Sequence, residues 1–248
     1  MEPTVFQNLA DAYEALVDWP KRLANETPLF RALFKQHGVR NVLDAACGTG
    51  QHAALFHSWG LCVQGADVSP AMIELCRRRY GESETLQWVV RSFAEPVNRQ
   101  FDACICVGNS LALVPDMDTV RRAVREMVAA LHRGGVAFIQ MLNLWRLPEG
   151  PVVWQKFRRI ALEIGEHALV KGVHRVGTRG YVEFVDLKLT VEGLTAQHEC
   201  VPFLGLHAEE LADMVHAAGA RVVHTWGDYQ QGMYQAEQSA DLILVIEK

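Results

Sequence analysis

The stretch Val42-Leu43-Asp44-Ala45-Ala46-Cys47-Gly48-Thr49-Gly50-Gln51 decides how this chain folds. A short apolar run enters a turn with two glycines, and residues 51–59 continue it with helical character. Glycine tolerates positive φ and lets backbone N–H groups come close to a ligand. The N-terminus of the helix beyond the turn favours a negative group. The spacing Gly48-x-Gly50-x-x-Ala53 also satisfies the relaxed fingerprint of dinucleotide binders, and such a turn can exist for packing alone. These residues announce a strand–turn–helix unit and leave its ligand open.

Working outward, apolar runs alternate with helix-period segments to about residue 143. Residues 61–66, 86–90 and 102–107 read as strands, and residues 70–80 as a helix capped by Ser69 with Pro70 at its first position. Residues 119–131 carry Val120, Ala123, Val124, Met127, Val128 and Leu131 at helical spacing. Gly134-Gly135 is expected to end that helix, and residues 136–142 read as a buried strand. This alternation predicts an α/β fold, a parallel sheet with helices on both faces. After residue 150, segments 152–164, 167–176, 180–191 and 194–203 show β-branched and aromatic residues in partial alternation, which reads as added antiparallel strands. A helix at 207–219 and strands at 222–226 and 242–246 complete the main sheet.

The chain has 248 residues, 50% of them hydrophobic, enough for one α/β domain with an embellishment. Its net charge of -5 argues against a surface that tracks nucleic-acid phosphates. The basic run Arg77-Arg78-Arg79 falls at a helix C-terminus, where the helix dipole favours it. The N-terminus lacks the apolar run of a signal peptide, and no stretch approaches the roughly 18 apolar residues of a membrane span. The six cysteines form no CxxC pair, which suits reduced thiols of a cytoplasmic protein without a metal.

Three further features fall on one edge of the expected sheet. The second strand ends at Asp67, whose carboxylate can accept both hydroxyls of a ribose. Met72 follows one turn into the next helix, where a thioether can pack on an adenine face or simply fill the core. The fourth strand runs out through Cys106-Val107-Gly108-Asn109-Ser110, placing small polar groups where α/β folds bind ligands.

Taken together, LDAACGTG, GADVSPAM and FDACICVGNSLALVPD resemble the class I S-adenosylmethionine (SAM)-dependent methyltransferases. Within them the chain is most similar to glycine N-methyltransferase and related small-molecule N-methyltransferases, chiefly over residues 31–143. The resemblance implies a Rossmann-like, seven-stranded, mostly parallel sheet whose last strand is antiparallel. It implies N-terminal lid helices at 1–30, a SAM-binding domain at 31–150 and 205–248, and an antiparallel β insertion at 151–204 forming a wall or lid of the acceptor site. Ala46, Gly48 and Gly50 would then line the methionyl part of SAM. Asp67, with Val68 beside it, would hold the ribose, and Met72 would pack on adenine. Val107, Gly108 and Asn109 would lie near the sulfonium. Ser92-Phe93 stands where the family often has an acid for the adenine amino group, so these two residues would bind the cofactor by backbone or aromatic contact instead. Tyr13, Trp19 and Arg22 resemble lid positions, Arg22 matching a partner for the SAM carboxylate; an amphipathic docking helix explains them equally well.

The departures also inform. The arginine with which glycine-methylating relatives grip their substrate carboxylate is replaced here by Leu142, although Asn143 is kept, and their histidine falls near Leu113. A buried carboxylate without a partner is costly, so unless Arg146 moves in, the expected acceptor is larger and less polar than glycine. Methyl transfer is an in-line displacement in which positioning dominates, and a base is needed only if the acceptor arrives protonated. Asn109, His174 and His198 are the catalytic candidates, with His207, Tyr181 and Glu183 behind them. Trp154, Phe157, Tyr181 and Phe203 would form the acceptor wall or the insertion's own core.

The expected partner is a small-molecule methyl acceptor, with neither nucleic acid nor membrane involved; a homo-oligomer is compatible with the sequence. One rival is a non-catalytic relative that binds SAM or S-adenosylhomocysteine. Another is an NAD-dependent oxidoreductase, against which the helix starting directly after Asp67 counts, as does the lack of a Tyr-x-x-x-Lys pair. A nucleic-acid methyltransferase is disfavoured by the acidic balance and the absence of an Asn/Asp-Pro-Pro-Tyr/Phe motif.

Overall fold

The computed structural model describes residues 16–161 and 166–248. The chain opens with α1 (Trp19–Gln36) and continues β1 (Asn41–Asp44), α2 (Gln51–Ser58), β2 (Cys62–Asp67), α3 (Pro70–Tyr80), β3 (Leu86–Val90) and β4 (Phe101–Cys106). A 3-10 turn (Ser110–Leu113), α4 (Met117–Ala129) and β5 (Leu131–Leu142) follow. Then come β6 (Val153–Ala161), β7 (Glu166–Val176), β8 (Arg179–Thr190), β9 (Gly193–Leu204), α5 (Ala208–Ala217), β10 (Arg221–Trp226) and β11 (Asp241–Glu247).

Seven strands form one sheet in the order β10-β11-β5-β4-β1-β2-β3. The first five strands run parallel, while β11 is antiparallel to both β5 and β10. This is the seven-stranded arrangement that the resemblance implied. The order reverses between β1 and β4, so the loops leaving these two strands open a crevice at the carboxyl edge.

Two boundaries differ from the sequence reading. The helix expected to stop at Gly134-Gly135 ends at Ala129, and both glycines lie inside β5. A Cβ on Gly135 would lie 2.9 Å from the His132 carbonyl oxygen and 3.0 Å from that of Asp102. Close backbone approach where β5 meets β4 therefore requires the glycine. The N-terminal helix also runs unbroken past residue 30, because Leu29, Phe30, Leu33 and Phe34 make one buried stripe. Phe30 meets Phe56 of α2 at 5.1 Å and Phe138 of β5 at 4.9 Å between ring centroids, which clamps α1 to the sheet.

The segment from β6 to β9 forms a separate antiparallel sheet in sequential order. Leu169, Val173, Val182, Phe184, Val201 and Phe203 make its inner face and join the main core. Phe203 belongs to that core, packing against Gly180, where any Cβ would fall 2.1 Å from the ring.

Candidate active site

The glycine turn is built from both ends. Gly48 N–H donates to Asp67 Oδ2 at 2.9 Å, and Ser69 N–H donates to Asp67 Oδ1 at 2.9 Å. Asp67 thus locks the tip of β2 to the turn after β1, and each carboxylate oxygen keeps a lone pair for another donor. Burial raises the Asp67 pKa, against the pull of the Ser69 and Gly48 amides. The two glycines differ in purpose. Gly50, at φ 81°, caps α2, and a Cβ there would come within 2.8 Å of Cys76 Sγ and of Trp88. Gly48, at φ 51°, would place a Cβ in open space with nothing within 4 Å. Gly50 serves packing, and Gly48 faces the side from which a ligand can approach.

Around this turn Ala46 and Met72 are half-buried, and Val68 is exposed at the tip of β2. The Met72 N–H is capped by Ser69 Oγ at 3.4 Å. Ser92 Oγ accepts from the Ala94 N–H, while Phe93 packs against the main core.

Asp44, the last residue of β1, was not singled out in the sequence. It is 1% exposed, no side chain among the described residues bonds its carboxylate, and the Ala46 and Ala53 amides and the Arg22 charge only partly offset its burial. Burial pushes its pKa up to about 7, helped by the neighbouring Asp67 carboxylate. A carboxylate held out of water with only partial compensation is costly.

From α1, Arg22 Nε donates to Glu26 Oε1 at 2.8 Å, and Glu26 Oε2 meets His52 Nε2 at 2.5 Å. Burial pushes the Glu26 carboxyl up, but the bond to His52 and the Arg22 charge more than offset this and hold it low. The Arg22 guanidinium also stacks on Trp19, 5.0 Å from its ring centroid, and approaches Gly108. The Trp19 indole N–H has no partner. Tyr13 lies outside the described residues. The i, i+4 spacing of Arg22 and Glu26 was a readable sign of this brace, whereas His52 could be paired with them only once the fold was known.

Val107 is buried at the end of β4. Gly108 and Asn109 follow with φ of 81° and 75°. Asn109 Oδ1 accepts from the Leu142 N–H at 3.0 Å, leaving its amide nitrogen as a donor. Gly108 N–H donates to Gln140 Oε1 at 2.8 Å, and Gln140 Nε2 donates to Asp241 Oδ1 at 2.8 Å. Gln140 is a polar residue in the otherwise apolar stretch 136–142, and that was the sequence signal for this relay. Asn143 serves structure: its Nδ2 donates to the Ala236 and Ser239 carbonyls, and its Oδ1 accepts from Trp145 N–H and Tyr234 hydroxyl.

The residues after β4, together with α1, β5 and the second sheet, border an open cavity of about 880 Å³. Arg22, Glu26, Gly108, Asn109, Leu113, Gln140 and Leu142 line it from the main sheet and α1, and Lys156, Phe157, Arg158, Lys171, Val182 and Phe184 from the insertion. His174 and His198 are not among the lining residues. Both bond Glu183, at 3.3 and 2.5 Å, and Glu183 alternates along β8 with the cavity-facing Val182 and Phe184. Successive side chains of a strand point to opposite faces, so this cluster, with Tyr181 against His174, lies on the far side of the sheet. His207 stacks on Trp145 at 3.8 Å. Of the aromatic candidates Phe157 lines the cavity, and Trp154 packs over Gly172.

Residues 42–135 match the family described as a methyltransferase domain. The glycine/sarcosine N-methyltransferase of Parasynechococcus marenigrum (strain WH8102) is 34% identical over 148 residues, which is 58% of this chain and 52% of that protein. The match therefore spans about half of that relative's length. The enzyme of the same name from Aphanothece halophytica is 24% identical over 92% of this chain and 84% of its own. Among solved structures, the SAM-bound amino pentose methyltransferase from Micromonospora echinaspora shares the fold, with a TM-score of 0.74 at 22% identity, covering 99% of this chain and 98% of that one.

Residues 42–135 of this chain form a methyltransferase domain.

The atoms of the methyltransferase site suit SAM. The space before Gly48 is open, and Asp67 keeps two free lone pairs between two turns. Asp44 buries a carboxyl directly behind the turn, and Arg22 stands at the cavity side of Gly108. No helix among the described residues is long and apolar enough to cross a membrane.

Proposed function

We propose that this chain is an enzyme that moves a methyl group from SAM to the nitrogen of a small-molecule amine. The observation that carries the reading is the cavity wall shared by Gly108, Asn109 and Arg22 on one side and the second sheet on the other. It offers an acceptor chamber at the loop after β4; Gly48 and Asp67 do not line it but follow β1 and end β2 on the same carboxyl edge of the sheet. The relatives described above are named as methyltransferases of glycine, sarcosine and an amino pentose, all amine-bearing small molecules.

When bound, SAM supplies a methyl group on a positively charged sulfur. Asp67 would hold the ribose hydroxyls, the Gly48 backbone would border the methionyl part, and Arg22, braced by Glu26 and His52, would neutralise the carboxylate. The acceptor nitrogen attacks the methyl carbon, the carbon–sulfur bond breaks with its electron pair going to sulfur, and the proton on nitrogen passes to water. The protein's contribution is to hold nitrogen and methyl in line at about 3–3.5 Å, which can supply roughly 7–11 kcal/mol. No histidine lines the cavity among the described residues, so we expect the acceptor to react as the free amine.

The test is transfer of labelled methyl from SAM to a panel of primary and secondary amines, phenols and carboxylates. The proposal expects label in an amine, with kcat/KM rising with pH along that amine's own titration. Label confined to phenols or carboxylates would overturn the nitrogen assignment. S-adenosylhomocysteine binding without transfer to any acceptor would leave a binding protein instead.

A further inference from the structure

The cavity wall contributed by the second sheet is basic, which departs from the less polar acceptor expected from the sequence. The β6–β7 register sets Lys156 directly opposite Lys171, and both line the cavity together with Arg158 and with Lys21 of α1. Like charges placed opposite each other across two strands repel. Lys156 Nζ donates to the Leu16 carbonyl at 3.5 Å, and Lys171 Nζ lies 5.8 Å from the Phe184 ring centroid. Neither lysine pairs with a carboxylate among the described residues.

The other charges facing this wall do not answer it. Asp18 reaches Arg158 at 3.9 Å. Glu26 is engaged by Arg22 and His52, and Asp241, on the opposite wall, is held by Gln140. Among the described residues the cavity lining therefore carries five cations, Lys21, Arg22, Lys156, Arg158 and Lys171, against three acids, Asp18, Glu26 and Asp241. Burial first, and then the Lys156 and Arg22 charges, bring the Lys171 pKa down to about 8. A repulsive pair whose Lys171 is half-buried is explained if an anion completes it, and the two-charge excess suits a dianion better than a single carboxylate.

We propose that Lys156 and Lys171, with Arg158 beside them, form an anion subsite that receives the phosphate or diphosphate group of a phosphorylated acceptor. This inference rests on the methyltransferase reading and gives its acceptor a chemical class. The positive charge that a carboxylate anchor after β5 would supply is absent at Leu142, and the second sheet supplies it from the other side of the cavity.

The test is calorimetry on the full chain. S-adenosylhomocysteine is titrated first, and that result reports on the methyltransferase reading by itself. The protein saturated with it is then titrated at pH 8 with inorganic pyrophosphate and separately with acetate, in two buffers of different ionisation enthalpy. Pyrophosphate should bind at least tenfold more tightly than acetate and with proton uptake, as Lys171 regains its proton beside the anion. Lys156→Gln/Lys171→Gln should lower pyrophosphate affinity at least tenfold with S-adenosylhomocysteine affinity unchanged. Lys171→Arg should keep pyrophosphate binding and lose the proton uptake. Pyrophosphate binding no tighter than acetate, or equally tight in the double variant, would overturn the subsite.

Discussion

Replacing Asp44 by asparagine should stabilise this protein in the absence of ligand, and by an amount that grows with pH. Asp44 is fully buried, with no side-chain hydrogen bond to its carboxylate among the described residues. Its pKa is raised to about 7 in the fold, against 3.8 for an ordinary aspartate. A carboxyl whose pKa is raised by folding contributes stability below its unfolded value and loses it as pH climbs through the folded one. The difference corresponds to about 4 kcal/mol in full, of which about 3 kcal/mol is lost between pH 5 and pH 8. The asparagine keeps the shape and cannot ionise. Equilibrium urea unfolding of both proteins at pH 5 and pH 8 should show the variant's advantage growing by about 3 kcal/mol. At this chain length, that advantage at pH 8 corresponds to a thermal midpoint raised by roughly 10 °C. An advantage that does not change with pH, or a variant less stable at both values, would refute the reasoning. For the wild type, SAM binding should strengthen as pH rises through about 7, because a cationic ligand favours the ionised Asp44.

The two glycines of the turn should separate stability from binding. Gly50→Ala meets Cys76 Sγ and Trp88 at 2.8 Å and strains a left-handed residue, so urea unfolding should show a loss of roughly 2–5 kcal/mol. Gly48→Ala meets nothing and should cost only about 1–2 kcal/mol, yet calorimetry should show S-adenosylhomocysteine bound at least tenfold more weakly. His174→Ala and His198→Ala should leave kcat within about twofold, since Glu183 and both imidazoles face away from the cavity; a hundredfold loss in steady-state rate would place them in the chemistry after all.

The main sheet was legible because its signals are local. The glycine turn, the Ser69-Pro70 helix start and the apolar runs of β1, β2 and β4 each lie within ten residues and agree with one another. The edge that gathers Gly48, Asp67 and Gly108 followed from parallel strand order alone. Gly134-Gly135 misled because the same dipeptide that stops a helix also permits close backbone approach inside a strand. His174 and His198 were misplaced because the period-2 pattern of the insertion left open which of its faces turned toward the cofactor edge. Asp44 and Lys171 stayed hidden for another reason: what makes each notable is burial of an ionisable group, and that depends on tertiary surroundings that no spacing encodes.

Gly48 and Asp67 together grasp an adenosyl sulfur compound in this reading. Titrating the purified protein with S-adenosylhomocysteine, and the Asp67→Ala variant in parallel, tests it most directly. The account predicts saturable binding at one site per chain, weakened at least tenfold in the variant. An absence of binding heat from that compound while a nicotinamide dinucleotide binds well, or identical affinities in the two proteins, would contradict it.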